Sequence, residues 1–168
     1  YVLMLLFAGT DLLIYVGLLM AVYGIVYAIL ENDMRRILAY SIVNQVGFMV
    51  CGIGIGTAMA LNGAAAHAFA HIIYKALLLM SAGSVLYMTG KRKCTDLGGL
   101  YHSMPITMTC GIIGALAISS FPLTSGFVTK SMINQAAADQ HLALAWFVLT
   151  AASAGVFLHA GIKFPWFV

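Results

Sequence analysis

Residues 12–30 read LLIYVGLLMAVYGIVYAIL, nineteen positions without one charged side chain. Wound as an α-helix, this stretch reaches about 28 Å, close to the thickness of the hydrocarbon core of a bilayer. The pattern continues outward from it. The turn ENDMRR at 31–36 leads into 37–56, ILAYSIVNQVGFMVCGIGIG, which is again uncharged. A short neutral loop at 57–62 precedes a helix at about 63–88, and a polar loop, TGKRKCTDLGGLYHSM, occupies 89–104. The run 105–138 carries Lys130 as its only charge, and after DQH at 139–141 comes a last span at about 142–158. Residues 1–8 read as the tail of a preceding span. Continuous apolar runs of this length lack the in/out alternation of barrel strands. The expected fold is therefore an all-α polytopic membrane domain over 1–168, with spans near 12–30, 37–56, 63–88, 105–138 and 142–158.

Composition agrees. Hydrophobic residues make up 62% of the 168 positions and charged residues 8%, against ~25% charged in a soluble domain. That excludes a soluble globular protein and a disordered one. The net charge is +3, but the eight basic residues are scattered, so there is no footprint for nucleic acid. The three cysteines, Cys51, Cys94 and Cys110, are odd in number and form no CxxC pair, which suggests neither a disulfide framework nor a zinc site. The chain begins on apolar YVLMLLF without Met or a basic segment. This is not a signal peptide, and it reads as an internal piece of a longer membrane protein.

Charge placement orients the spans. Five crossings put 31–36, 89–104 and the segment after 158 on one side. These hold Arg35 and Arg36, then Lys91, Arg92 and Lys93, then Lys163. The turns on the other side hold no Lys or Arg. Cytoplasmic loops are enriched in these residues, so 31–36 and 89–104 are expected in the cytoplasm, with the chain in the cell inner (plasma) membrane.

The run 105–138 is too long for one straight span: 34 residues would reach roughly 50 Å. Its middle, SSFPLTSGF at 119–127, contains Pro122, which lacks a backbone donor, and Gly126, which permits backbone conformations closed to other residues. Ser119, Ser120, Thr124 and Ser125 offer hydroxyls to the freed backbone groups. The expectation is a discontinuous helix, broken at Pro122 and Gly126, of the kind that lines ion sites at membrane depth.

Lys75 lies near the centre of 63–88, too deep to snorkel easily to headgroups. Intramembrane ionisable residues are functional by default, although a structural lysine paired with a carboxylate elsewhere is the alternative. His67, His71 and Lys75 follow at i, i+4 and i+8, a slowly turning row on one helix face. Histidine titrates near neutral pH and carries two ring nitrogens, and desolvation favours the neutral form of an amine. Such a row can load and release protons. Zinc binding by the two histidines is the rival reading, but position 68 is alanine rather than the glutamate of HExxH and the span has no carboxylate, so no metal is expected. Lys130 follows the break in what reads as the first turn of the second half-helix, whose positive end disfavours a cation; the alternative is an anchor at the membrane interface. Asn44 and Gln45, mid-span in 37–56, suit interhelical hydrogen bonds or a polar path, as do Ser120, Thr124 and Ser125 at the break. Gly52, Gly54 and Gly56 fit close helix packing better than phosphate binding. His102, His141 and His159 receive no role.

ENDMRRILAYS, HAFAHIIYKALLLMSAGS, DLGGLYHSMP and FPLTSGFVTKSMI, in this order over nearly the whole chain, resemble one family: the proton-conducting antiporter-like subunits shared by respiratory complex I and Mrp-type cation/proton antiporters. HAFAHIIYK and SAGVFLHAGIKFPWF look most like the D-type Mrp subunit. The resemblance implies a five-helix antiporter repeat with one discontinuous helix, the second of two inverted repeats. It implies that Lys75 is the central lysine, that His67 and His71 lie on its approach, and that Lys130 stands near the proton exit. It also implies partner membrane subunits, protons and a monovalent cation, Na⁺, as the transported ions, and no cofactor.

Three functions follow as expectations. The first is proton translocation in a multisubunit Na⁺/H⁺ antiporter. The second is a proton-pumping subunit of a respiratory NADH:quinone oxidoreductase or related redox complex. The third is a purely structural membrane subunit. The charge count also makes a topological prediction. An impermeant thiol reagent outside spheroplasts should leave a lone Cys94 unlabelled, and labelling from that side would contradict the orientation.

Overall fold

The structure, a computed structural model, describes residues 1–167. It is all helical among those residues. A short α1 (Val2–Phe7) precedes α2 (Asp11–Leu30), α3 (Met34–Ile55) and α4 (Ala58–Thr89). A single 3₁₀ turn at Cys94–Asp96 leads to α5 (Pro105–Ile118), α6 (Ser125–Asp139) and α7 (Ala143–Val156). Seven residues of π-helix, Phe157–Lys163, continue α7, followed by α8 (Phe164–Phe167). Four helical stretches are long and apolar enough to cross a membrane: Asp11–Leu30, Met34–Ile55, Ala58–Thr89 and Ala143–Lys163.

Capping residues set the boundaries. Asp33 opens α3 by accepting from the Arg35 and Arg36 amides at 2.9 and 3.3 Å, an N-cap that satisfies two orphan donors. Thr57 does the same for Ala60. Its cap starts α4 at Ala58, so the segment expected as a loop at 57–62 is helical instead. With 32 residues, α4 is about 48 Å long and extends beyond the hydrocarbon core. Left-handed Gly56 and Gly90 close α3 and α4.

α2 and α3 pack backbone to backbone through glycine. A Cβ on Gly17 would lie 2.5 Å from the Cys51 amide nitrogen, and one on Gly24 2.5 Å from that of Asn44. From the other helix, Gly47 and Gly54 approach Ala21 and Ile14 equally closely. In lipid, where no hydrophobic force drives helices together, small residues allow this contact and van der Waals packing supplies the attraction. Asn44 sits in the seam and donates to the Ala21 carbonyl at 2.8 Å.

The basic segments meet at one end of the bundle. Met34 donates its amide to the Arg92 carbonyl at 3.1 Å, and Cys94 donates to that of Asn32 at 2.9 Å. The Lys163 ammonium donates to the Ile29 and Glu31 carbonyls. The Asn32 amide, then that of Asp33, hold the Glu31 carboxyl below its ordinary range, and Arg36 lies 3.9 Å away. Cys94 is 1% exposed, and burial pushes its thiol up. It is therefore a poor reporter from either side, and exposed Lys91, replaced by Cys, is the position at which to read the loop's orientation.

The glycine seam yields a stability prediction. Gly47→Leu inserts a side chain where backbone stands, and it should cost about 3 kcal/mol or more, seen as loss of assembled complex on native gels. Gly83→Ala, with nothing within 4 Å of the added Cβ, should assemble as the wild type does. Equal assembly of both variants would contradict the seam.

Candidate functional site

The discontinuous helix begins with the way α5 stops. Ser120 adopts φ +58°. Its amide bonds to the Ala117 carbonyl, and the Phe121 amide bonds to that of Leu116. This is a Schellman closure with serine in the left-handed position usually held by glycine. Leu123, at φ +71°, is a second left-handed residue, and such positions cost of order 1–3 kcal/mol each. Pro122 comes just after the closure and prevents the helix from resuming.

Gly126 departs from the expectation. It lies inside α6 without a positive φ, and its role is close approach: a Cβ there would fall 2.0 Å from the Ala117 carbonyl oxygen. The absence of a side chain lets the two half-helices touch. The hydroxyls at the break serve nearby backbone. Ser119 donates to Ala115 at 2.6 Å, Ser120 to Gly126 at 3.4 Å and Thr124 to Phe121 at 2.6 Å. Ser120, Thr124 and Ser125 make no hydrogen bond to either lysine among the described residues; Ser125 is exposed and contributes its carbonyl to Thr129 at 3.1 Å.

Lys130 lies in the second turn of α6, not the first, and is 2% exposed. Its ammonium turns back across the break and donates to the Ile118 carbonyl at 2.9 Å. That carbonyl belongs to the last turn of α5, the negative pole of the half-helix. The expected opposition from the positive end of α6 is thus replaced by an attraction to the other half-helix. The same ammonium stands 5.2 Å from the centre of the Phe48 ring, a cation–π contact worth about 0.5–2 kcal/mol.

The row on α4 faces inward. His67 is fully buried, Lys75 is 4% exposed and His71 8%. Lys75 stands near the middle of its helix. His67 is held at both nitrogens: Nε2 is 2.9 Å from Gln45 Oε1 on α3, and Nδ1 is 2.8 Å from Thr129 Oγ1 on α6. Gln45 Oε1 is fixed as an acceptor by its amide group, which donates to Asn44 Oδ1 at 3.2 Å. Nε2 of His67 is therefore the N–H. The Thr129 hydroxyl serves either state of Nδ1. It donates to a neutral ring, or it accepts from an imidazolium while turning its own hydrogen to the Ser125 carbonyl.

The rings of His67 and His71 stack at 6.2 Å and 21°, and Tyr74 crosses His71 edge-on at 5.4 Å. His71 Nε2 and Lys75 Nζ are buried without a hydrogen-bond partner among the described residues. Such groups require one.

The structure thus brings His67, Gln45 and Asn44 into one hydrogen-bonded chain, with Lys130 beside it through Thr129 and Phe48; His71 and Lys75 follow on the same helix, His71 linked to it by ring stacking and neither by hydrogen bonds among the described residues. Sequence reasoning missed Thr129, Phe48 and Tyr74. Thr129 adjoins Lys130, and a hydroxyl one residue from a buried cation is a signal in the sequence; the two aromatics look like ordinary core.

Buried cations beside a broken helix in a multi-span bundle define a class of ion-handling membrane proteins. The chain belongs to the NADH:quinone oxidoreductase/Mrp antiporter transmembrane family, whose profile matches residues 2–157, and it is a multi-pass membrane protein. It is 34% identical over 139 residues to a protein of Rhizobium meliloti (strain 1021) named as a probable K(+)/H(+) antiporter subunit of type A/B, covering 80% of this chain and 14% of that one. It is 38% identical over 131 residues to a D-type Na(+)/H(+) antiporter subunit of Alkalihalophilus pseudofirmus, covering 78% and 26%. Among solved structures, a chain of an archaeal membrane-bound sulfane sulfur reductase superposes with TM-score 0.88 at 31% identity, over 94% of this chain and 26% of that one. A chain of respiratory complex I from Thermus thermophilus superposes with TM-score 0.79 at 29% identity, over 90% and 33%. The chain therefore spans between about a seventh and a third of the length of these proteins.

The break carries its own prediction. Gly126→Ala should drive α6 off α5, separate Lys130 from Ile118 and lower stability by about 1–3 kcal/mol. Pro122→Ala, at an exposed ring, should change it by under about 0.5 kcal/mol. Thermal melts of the solubilised complex measure both; a Gly126→Ala variant as stable as the wild type would remove the close contact from the account.

Proposed function

We propose that this chain carries protons across a membrane in a multisubunit monovalent cation/proton antiporter, through His67, His71, Lys75 and Lys130. The observation that carries the reading is the buried series itself: two lysines and two histidines inside the bundle, with no carboxylate paired to either lysine among the described residues. Two buried charges of like sign repel strongly in a medium of low dielectric. A proton arriving at one lysine therefore favours departure from the other, and that coupling moves protons along the series. The Thr129 rotor accommodates either state of His67 between them.

Na⁺ is the counter-transported ion in this reading, with support from the likeness to a protein named as a Na⁺/H⁺ antiporter subunit. Residues 1–168 form the second of two inverted five-helix repeats, embedded in the cell inner (plasma) membrane. The end that joins 31–36, 89–104 and Lys163 faces the cytoplasm, by the enrichment of Lys and Arg there. The chain is a transporter subunit and not itself an enzyme.

A second reading has a specific observation in its favour. The superposition on a complex I chain supports the same proton-carrying series working in a redox complex, driven by electron transfer in other subunits. Replacement of external Na⁺ by choline separates the two: proton movement that depends on Na⁺ supports the antiporter, and movement that follows NADH oxidation instead supports the redox pump.

Lys75 provides the direct test of proton carriage. Lys75→Ala should lower proton flux in everted vesicles by about 100-fold or more, with assembly intact on native gels. Lys75→Arg should be nearly as poor, because guanidinium does not release its proton. Full transport by the Arg variant would assign Lys75 a fixed structural charge.

A further inference from the structure

His159 stands on the π-helical continuation of α7 and is 1% exposed. Its Nδ1 lies 3.1 Å from the Gly155 carbonyl. A carbonyl only accepts, so Nδ1 carries the hydrogen and Nε2 holds the lone pair. Nε2 is buried without a hydrogen-bond partner among the described residues. A basic nitrogen left so in a hydrocarbon-spanning helix is costly, and π turns within helices occur frequently at functional sites.

The surroundings of this segment are those of the two lysines. Val156 and Ala160, on either side of His159, pack in one buried cluster with Tyr74, the neighbour of Lys75, and with Ile118, whose carbonyl holds Lys130. A Cβ on Gly161 would fall 2.8 Å from Ser119 Oγ, so the π segment lies directly on the end of α5. The charged groups that the packing places around this segment are Lys75, next to Tyr74 on α4, Lys130, bound to the Ile118 carbonyl, and Lys163 four residues further on. α5, α7 and α8 carry no carboxylate or amine, and Asp11 of α2 is at the opposite end of the bundle. Four residues beyond His159, Lys163 is bound to the Ile29 and Glu31 carbonyls at the end that carries the basic loops.

We propose that His159 is a proton-exchange station on the last helix, linking the buried lysines to the basic-loop end of the bundle. The inference rests on the proton-carrying reading and adds an arm to it. In the forward step a lysine ammonium loses one N–H proton and becomes an amine. Water carries that proton to Nε2, since neither Lys75 Nζ nor Nε2 has a hydrogen-bond partner among the described residues; an N–H bond forms there and the ring becomes an imidazolium. In the second step the same Nε2 proton passes to water on the Lys163 side and the ring returns to neutral. The Nδ1–H stays on the Gly155 carbonyl throughout and keeps the ring in place. Charge and protons balance, and no other reactant is needed.

The test uses the whole complex in everted vesicles. His159→Asn keeps an amide N–H where Nδ1 stands, so the bond to Gly155 is retained, and it removes the titratable Nε2. His159→Gln keeps more of the volume. In every variant that assembles, proton flux should fall by roughly 100-fold, and the ionisation that the wild-type pH–rate profile owes to the ring should vanish. Wild-type flux with an unchanged pH profile in an assembled variant would overturn the inference. So would loss of assembly in both, which would make His159 a packing residue. Lys75→Ala is run alongside. If that variant transports normally, the proton-carrying reading itself fails; if it is inactive while the His159 variants pump normally, only the His159 arm falls.

Discussion

The hydrogen bond from Lys130 to the Ile118 carbonyl is the contact on which the rest of the arrangement turns. A helix that stops inside a bilayer exposes carbonyls that no water of the hydrocarbon region can satisfy. Here the chain answers one of them with a side chain from the other half of the same broken helix. The bond forms because Ser120 and Leu123 accept left-handed backbone, and because Gly126 lets α6 come against Ala117. It also requires Lys130 to be buried, and a buried cation draws the Phe48 ring of α3 and the Thr129–His67 pair beside it. A local backbone problem thus becomes a junction of α3, α4, α5 and α6.

From this junction the polar chain follows from packing. The glycine seam brings α3 so close to α2 that Asn44 reaches the Ala21 carbonyl. Asn44 then orients Gln45, Gln45 fixes the tautomer of His67, and His67 stacks on His71 one turn before Lys75. Each interhelical hydrogen bond contributes on the order of 1 kcal/mol. Their main effect is orientation: they hold the His67 ring between Gln45 of α3 and Thr129 of α6. What differs along the series is constraint. His67 is held at both nitrogens, whereas His71, Lys75 and His159 each leave a buried nitrogen unbound by the described residues. The held ring is fixed in place, and the unbound nitrogens are the ones that an ordered water would satisfy.

Much of this is legible in the sequence, for physical reasons. Apolar runs and the charge pattern mark the spans because a bilayer tolerates little else. The 34-residue run with Pro122 at its middle marks a broken helix because no straight span needs that length. His67, His71 and Lys75 share a face by helical arithmetic alone. What is not legible depends on tertiary contact. The partner of Lys130 is a backbone carbonyl twelve residues away, which no residue type announces. Gly126 reads as a conformational hinge, yet it acts by having no Cβ. The start of α4 is hidden because 57–62 reads as a short neutral loop, while Thr57 is the cap and the helix begins at Ala58. His159 lies just past the span expected at 142–158, and only the π-helical continuation of α7 shows that it is buried.

The central claim is that the interior lysines are served by water along a polar path and not neutralised by a carboxylate. A map of the whole assembly, at a resolution that shows ordered water, tests this most directly. Water is expected within hydrogen-bonding distance of Lys75 Nζ and His71 Nε2, continuing toward Lys130. An Asp or Glu of another helix bound directly to Lys75, with dry apolar packing around it, would contradict the account and leave Lys75 a structural ion pair.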